Sequence, residues 1–257
     1  NLSVPFLGDI PQYSGEKQRG SFVVRENGRD PVSEAFRMIR SNMNFMNLGK
    51  SEIKVIMVTS SNPHAGKTFV STNLAMTFAT TGKKVVIMDL DLRRRTFYKQ
   101  MGHGGDTNGV SSYLSGSTEL QAIIRKSKLS EKLDIIYAGI QPPNPSEMLL
   151  SQRMEELIAE LKLHYDYIII DSTPAMAVAD AIITDRLADL SIYVVREGLL
   201  DRRQLPDIER LYREKKFHNM AIILNGASST KRHGYGYGYG YGYGSVSYTH
   251  LRAHETG

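Results

Sequence analysis

The residues best equipped for chemistry are Lys67, Thr68 and the aspartates Asp89, Asp91 and Asp171, each close to the end of an apolar run. The run Lys54–Ser60 (KVIMVTS) leads into Ser61-Asn62-Pro63-His64-Ala65-Gly66-Lys67-Thr68 and then into a helical stretch. A strand, a loop ending in Gly-Lys-Thr and a helix form the setting of a Walker A phosphate loop. Successive backbone N–H groups and the helix N-terminus would offer phosphates a nest. Lys67 would reach the β- and γ-phosphates, and the Thr68 hydroxyl would hold Mg²⁺. ATP and Mg²⁺ are therefore the expected cofactors, with Asn62, Pro63, His64, Ala65, Gly66, Lys67, Thr68 and Phe69 as the binding segment. Ser61 departs from the usual pattern, which has Gly there, and His64 takes a position that Gly often fills.

The acids extend the argument. Asp89 and Asp91 close the run KVVIMD as Asp-Leu-Asp. On an extended chain, residues two apart point the same way. Asp171 ends YDYIIID, the place of a Walker B acid. Ligands of open parallel sheets sit beyond the carboxyl ends of the strands, so the loop and all three carboxylates are expected on one edge. Mg²⁺ takes hard oxygen ligands, commonly one or two carboxylates with several waters. Any one Asp in such a place is more often a helix cap or turn residue. Three of them beside Gly-Lys-Thr read as metal-associated, which assigns Thr68, Asp89, Asp91 and Asp171 to the metal.

The elements that must position these groups follow from the rest of the pattern. The chain has 257 residues, 41% of them hydrophobic. That is enough for one α/β domain with appendages. It has no cysteine, which excludes disulfides and thiolate metal sites. The net charge of +5 is mild and is clearest at Arg93-Arg94-Arg95. That run reads as a local anion-facing patch, and no nucleic-acid partner is expected. Continuous β-branched runs at 54–60, 84–89, 133–138, 165–171, 190–195 and 220–225 alternate with helical patterns. This predicts a mostly parallel, doubly wound sheet covered by helices on both faces. Between the runs, helices are expected at 31–47, 66–81, within 107–125, and at 144–164, 178–187 and 202–215. In the first of these Val32, Ala35, Phe36, Ile39, Met43 and Met46 share one stripe, with Glu34, Arg37 and Arg40 on the other side. Residues 1–29, with Pro5 and Pro11, read as a leader that packs loosely or not at all. The P-loop domain is expected at 30–228.

A Tyr-Gly string follows. Tyr235, Tyr237, Tyr239, Tyr241 and Tyr243 alternate with Gly on a segment, 229–244. Such a segment is flexible and cannot build a core. By composition alone it reads as a low-complexity spacer. Residues 245–257 differ from everything before them and are assigned no function.

With these pieces together, the chain resembles the bacterial tyrosine kinases (BY-kinases), the cytoplasmic domain of polysaccharide co-polymerases, over about residues 2–244. The matching stretches are NPHAGKTF, VVIMDLDLRR (the family's additional Walker A′ motif), PPNPSEMLLS, YDYIIIDSTPA and the tyrosine tail; LSVPFLGDIP resembles the family's juxtamembrane stretch. A further departure is Ser-Thr-Pro-Ala after Asp171, where Pro-Pro is common. The resemblance implies a P-loop NTPase fold and ATP-dependent phosphorylation of the tail tyrosines, in trans within a ring. Lys67, Asp89, Asp91, Asp171 and Arg93 would be catalytic, with Asp89 or Asp91 as base for the tyrosine hydroxyl and Arg93 facing phosphate or substrate. Asn225 would touch the adenine or serve as a cap. Glu34, Arg37 and Arg40 match the EX2RX2R motif that docks subunit on subunit, although such a triplet is usually a solvated helix face. The implied partners are further copies of the chain, a transmembrane activator domain on the same or an adjoining chain, a tyrosine phosphatase and polysaccharide export machinery, at the cytoplasmic face of the bacterial inner membrane. Two other readings remain open at this point: a partition- or division-type ATPase, whose signature lysine would stand at Asn62, and a nucleotide-stabilised scaffold.

Overall fold

The computed structural model of the chain describes residues 2–13, 22–46, 52–94, 97, 107–176 and 179–228. Eight strands form one sheet in the order β1-β8-β7-β2-β6-β3-β5-β4. They are β1 (Phe6–Pro11), β2 (Val55–Ser60), β3 (Val85–Asp89), β4 (Ile124–Lys126), β5 (Leu133–Ile136), β6 (Tyr167–Asp171), β7 (Leu190–Arg196) and β8 (Met220–Ala227). Every pairing is parallel except that of β4 with β5. The helices are α1 (Pro31–Met46), α2 (Lys67–Ala79), α3 (Val110–Leu114), α4 (Pro145–Leu150), α5 (Gln152–His164), α6 (Asp180–Asp185) and α7 (Leu205–Arg213), with single 3₁₀ turns at Leu120–Ala122 and Arg202–Gln204.

The central strands are apolar on both sides because both faces are covered, as parallel sheets require. Alternate residues of β2 go to opposite cores. Val55 and Met57 pack with Leu157 and Leu161 of α5 and Ile208 of α7. Ile56 and Val58 pack with Phe36 and Ile39 of α1 and Leu74 of α2. The stripe read on α1 is the buried face of that helix, apart from half-buried Met46. The helix starts with Pro31 after Asp30, an order that suits a helix N-terminus. Asp30 Oδ1 accepts from the Val32 and Ser33 N–H groups at 3.1 and 2.9 Å.

Two expectations need correction. Part of the leader is neither loose nor irregular: β1 pairs in parallel with β8, and Leu2, Val4, Leu7 and Ile10 are buried. Its prolines are tolerated because β1 is an edge strand. Pro11 ends it, and the carbonyl of Pro5 still accepts from the Ile222 N–H at 2.8 Å. The stretch 144–164 is two helices, broken at Ser151. That residue is extended, and its hydroxyl accepts from the Met154 N–H at 3.2 Å. A serine so placed caps the second helix. The tail tyrosines, residues 245–257 and Arg95 lie outside the described residues.

Candidate active site

The loop at residues 61–66 joins β2 to α2 at the carboxyl edge of the sheet. Gly66 caps the helix with φ +96°, and a Cβ there would stand 2.1 Å from Nδ2 of Asn225. Only glycine fits. His64 also has positive φ, +64°, whereas Ser61 does not. Glycine therefore suits position 64, and position 61 needs no glycine freedom. The Ser61 hydroxyl is buried against Tyr193, Oγ to Oη 3.0 Å, and burial pushes the Tyr193 phenol up to about 12. Asn62 pairs with Gln204, amide to amide, at 3.1 and 3.3 Å.

Parallel pairing sets Asp89 and Asp171 side by side at the ends of β3 and β6. Thr68 Oγ1 donates to Asp171 Oδ2 at 2.6 Å, and Ser71 Oγ lies 3.3 Å from Asp171 Oδ1. Asp89 is 1% exposed; its Oδ1 accepts from the Asp91 N–H at 2.9 Å, and its Oδ2 has no partner among the described residues. Burial, followed by the Asp171 charge, drives the Asp89 carboxyl well above the ordinary range, as loss of water and a like charge both disfavour ionisation. Burial also raises Asp171 and Asp91, against the opposing charge of Lys67. The ammonium of that lysine makes no hydrogen bond or ion pair among the described residues; three carboxylates share its field and none clamps it.

These groups fit Mg²⁺ bound with waters. An unpaired buried carboxylate oxygen, a second carboxylate and a threonine hydroxyl are hard donors on one edge. No cluster of three or more His, Asp or Glu that could chelate an ion by itself occurs among the described residues.

Other expected site residues are placed differently. Arg93 is bound to Asp180: Nε to Oδ2 at 2.6 Å and Nη2 to Oδ1 at 3.1 Å, with Ser146 Oγ bridging both partners. Asn225 turns its amide onto the Ala65 carbonyl at 2.9 Å, a bracing contact. The triplet on α1 is not free: Arg37 pairs with Glu34 and donates to the Gly28 carbonyl, and Arg40 donates to the Thr77 carbonyl at 3.1 Å. Sequence reasoning missed Asp180 and Gln204, whose partners lie 87 and 142 residues away. Ser146 falls inside PPNPSEMLLS, a stretch matched to the family without a role. A cavity of about 460 Å³ lined by Lys84, Lys126, Asp134 and Tyr165 lies at the opposite end of the sheet, near the starts of β3 and β5, away from the loop.

Comparison with known proteins agrees with this geometry. The model of the AAA domain family matches residues 53–195. Tyrosine-protein kinase YwqD of Bacillus subtilis is 33% identical over 221 residues, 86% of this chain and 92% of the relative. Tyrosine-protein kinase etk of Escherichia coli K12 is 34% identical over 205 residues, 80% of this chain but only 28% of that longer protein. The solved kinase domain of Escherichia coli tyrosine kinase ETK superposes with a TM-score of 0.76 at 30% identity, covering 92% of this chain and 95% of that one. The chain belongs to the bacterial tyrosine-protein kinases.

Proposed function

We propose that the chain uses Mg²⁺·ATP to phosphorylate the tyrosines of its own tail, Tyr235 to Tyr243, in trans between neighbouring copies. The observation that carries this is the meeting of the Gly-Lys-Thr loop, the unpaired Lys67 and the starved Asp89 oxygen on one sheet edge. Phosphoryl transfer needs positioning and charge neutralisation more than covalent chemistry. The backbone N–H groups of the loop bind phosphate, and Lys67 neutralises charge on the transferred group. Mg²⁺, held by Thr68, Asp89 and Asp171 with waters, would neutralise charge between the phosphates. Asp91 is less buried than Asp89, so an incoming tyrosine hydroxyl can reach it. That access makes Asp91, rather than the fully buried Asp89, the base. Arg93, bound to Asp180 and Ser146, fixes the segment after Asp91.

By composition alone, a Gly-rich stretch of about eleven residues, from Ser228 to Tyr239, would span on the order of 18 Å if it behaved as a random coil. That is enough to present a tyrosine to an adjoining site. Glu34 is exposed and Arg37 and Arg40 are half-buried, and a neighbour would exchange their internal bonds for contacts between subunits. Five phosphotyrosines would add roughly −8 to −10 charges. That would overturn the chain's net +5, so phosphorylation is expected to loosen the ring. Equal assembly of unmodified and phosphorylated protein in light scattering would contradict that. In keeping with the family, the cycle would regulate exopolysaccharide or capsule export, together with a transmembrane activator and a phosphatase at the inner membrane.

The test is intact and tandem mass spectrometry after incubation with Mg²⁺·ATP, beside a Lys67→Met control. Phosphate on Tyr235–Tyr243 in the active protein alone is the expected result. Hydrolysis of ATP without phosphotyrosine would overturn it in favour of an ATPase switch.

A further inference from the structure

We propose that Arg196 is a positioning residue for the nucleotide: it sets the direction of the Ala65 N–H by holding the His64 peptide. The inference rests on the loop being the nucleotide site.

Arg196 is the last residue of β7 and is exposed. Its Nη1 donates to the His64 carbonyl at 3.0 Å. The stem runs past Gly226, where a Cβ would stand 3.7 Å from Arg196 Cγ and 3.8 Å from Nε. The guanidinium forms no ion pair among the described residues. On β8 the residue in register with Arg196 is Asn225, and its amide holds the next carbonyl, that of Ala65, at 2.9 Å. Two neighbouring strand ends therefore grip two consecutive carbonyls of the loop.

In a planar trans peptide the N–H points opposite to the C=O. Fixing the His64 and Ala65 carbonyls toward β7 and β8 aims the N–H groups of Ala65 and Gly66 the other way, into the bowl of the loop. A phosphate nest is built from consecutive N–H groups of this kind. The hold at His64 matters because that residue has a Cβ and yet sits at φ +64°. A free loop would readily leave that conformation. Glycine at position 64 would rest there without strain; histidine relies on the bond from Arg196.

The test combines Arg196→Ala, Arg196→Lys, His64→Gly and the double variant His64→Gly with Arg196→Ala. Mg²⁺·ADP affinity is read by calorimetry, KM and kcat for ATP by phosphotyrosine formation, and Tm without nucleotide by scanning. Losing the bond should weaken Mg²⁺·ADP by about tenfold and raise KM to match. The Tm should barely move, since the side chain is exposed. Lysine should restore part of the affinity. In the His64→Gly background the same Arg196→Ala change should cost about twofold or less, because the strain it restrains is gone. An equal loss in both backgrounds would assign the effect to charge alone and overturn the positioning role. So would unchanged affinity in Arg196→Ala while the unaltered chain binds normally. Failure of the unaltered chain to bind Mg²⁺·ADP would instead overturn the nucleotide reading, and this inference with it.

Discussion

Asp89 and Asp180 are each 1% exposed, yet the fold treats them in opposite ways. Asp180 at the start of α6 receives Arg93 on both oxygens and the Ser146 hydroxyl on one. Burial alone would raise its carboxyl, but those bonds and the Arg93 charge outweigh it and hold the group below the ordinary range. Asp89 receives a single backbone N–H, keeps one oxygen unpaired, faces Asp171 and is pushed far upward. A buried carboxylate with partners is part of the scaffold, whereas one without them is, on the function proposed above, the place for a cation. The scaffold pair serves the starved one, because Arg93 lies two residues beyond Asp91 and ties that turn to α4 and α6.

The largest expected effect separates chemistry from stability. Lys67→Met should lower tyrosine phosphorylation by about a hundredfold or more, as loss of a group that neutralises transition-state charge does, with little change in Tm measured without nucleotide. A substantial fall in Tm would mean that Lys67 is a structural partner of the acids.

Next come the two aspartates, where the signs should differ. Asp180→Asn removes the negative charge and turns one of the two acceptor oxygens facing Arg93 into a donor, and should destabilise the chain by about 1.5–3 kcal/mol. At about 2–4 °C per kcal/mol for a chain of this size, Tm should fall by several degrees. Asp89→Asn should abolish activity yet leave the nucleotide-free protein as stable or more so, by about 1 kcal/mol, since it removes an unpaired buried charge. Matching losses of stability in both variants would erase the distinction between the two sites.

The pH dependence sharpens the same contrast. Asp89, Asp91 and Asp171 have raised folded values. Their stabilising contribution is therefore full below the unfolded carboxylate range and is lost as pH climbs through those values. Asp180 is lowered, so its contribution holds above the unfolded range and is lost as pH falls through its folded value. Nucleotide-free protein should therefore lose this contribution as pH rises from the unfolded carboxylate range through the folded values, and Asp89→Asn should flatten that loss in scanning calorimetry. A steeper slope in the variant would contradict the assignment.

The smallest effect concerns α1. Arg40→Ala gives up the bond to the Thr77 carbonyl. Loss of one such bond should cost the isolated chain roughly 1 kcal/mol. If α1 also docks copies, the same change should lower the assembled fraction in light scattering more than it lowers stability.

Much of this was legible in the residues. The central strands carry continuous branched runs, because burial on both faces leaves no polar position, and a parallel sheet then sends Asp89 and Asp171 to one edge without further information. Strand β1 was not legible: Pro5, Gly8 and Pro11 mark irregular chain locally, and only the open edge of β8 makes a strand of it. The partners of the site were hidden for a related reason. Arg93 with Asp180, and Asn62 with Gln204, are joined by topology across long stretches of chain, so type and spacing cannot reveal that an arginine beside Asp-Leu-Asp is already bound. The break at Ser151 needed only recognition of a serine cap within a helical pattern.

On the function proposed above, Asp89 awaits a cation while Asp180 does not. The most direct test of that difference is the affinity for ADP measured by calorimetry with and without Mg²⁺ in the unaltered chain, Asp89→Asn and Asp180→Asn. Mg²⁺ should strengthen ADP binding in the unaltered chain and in Asp180→Asn, and Asp89→Asn should lose this gain. Equal dependence on Mg²⁺ in all three, or its loss in Asp180→Asn alone, would contradict that difference.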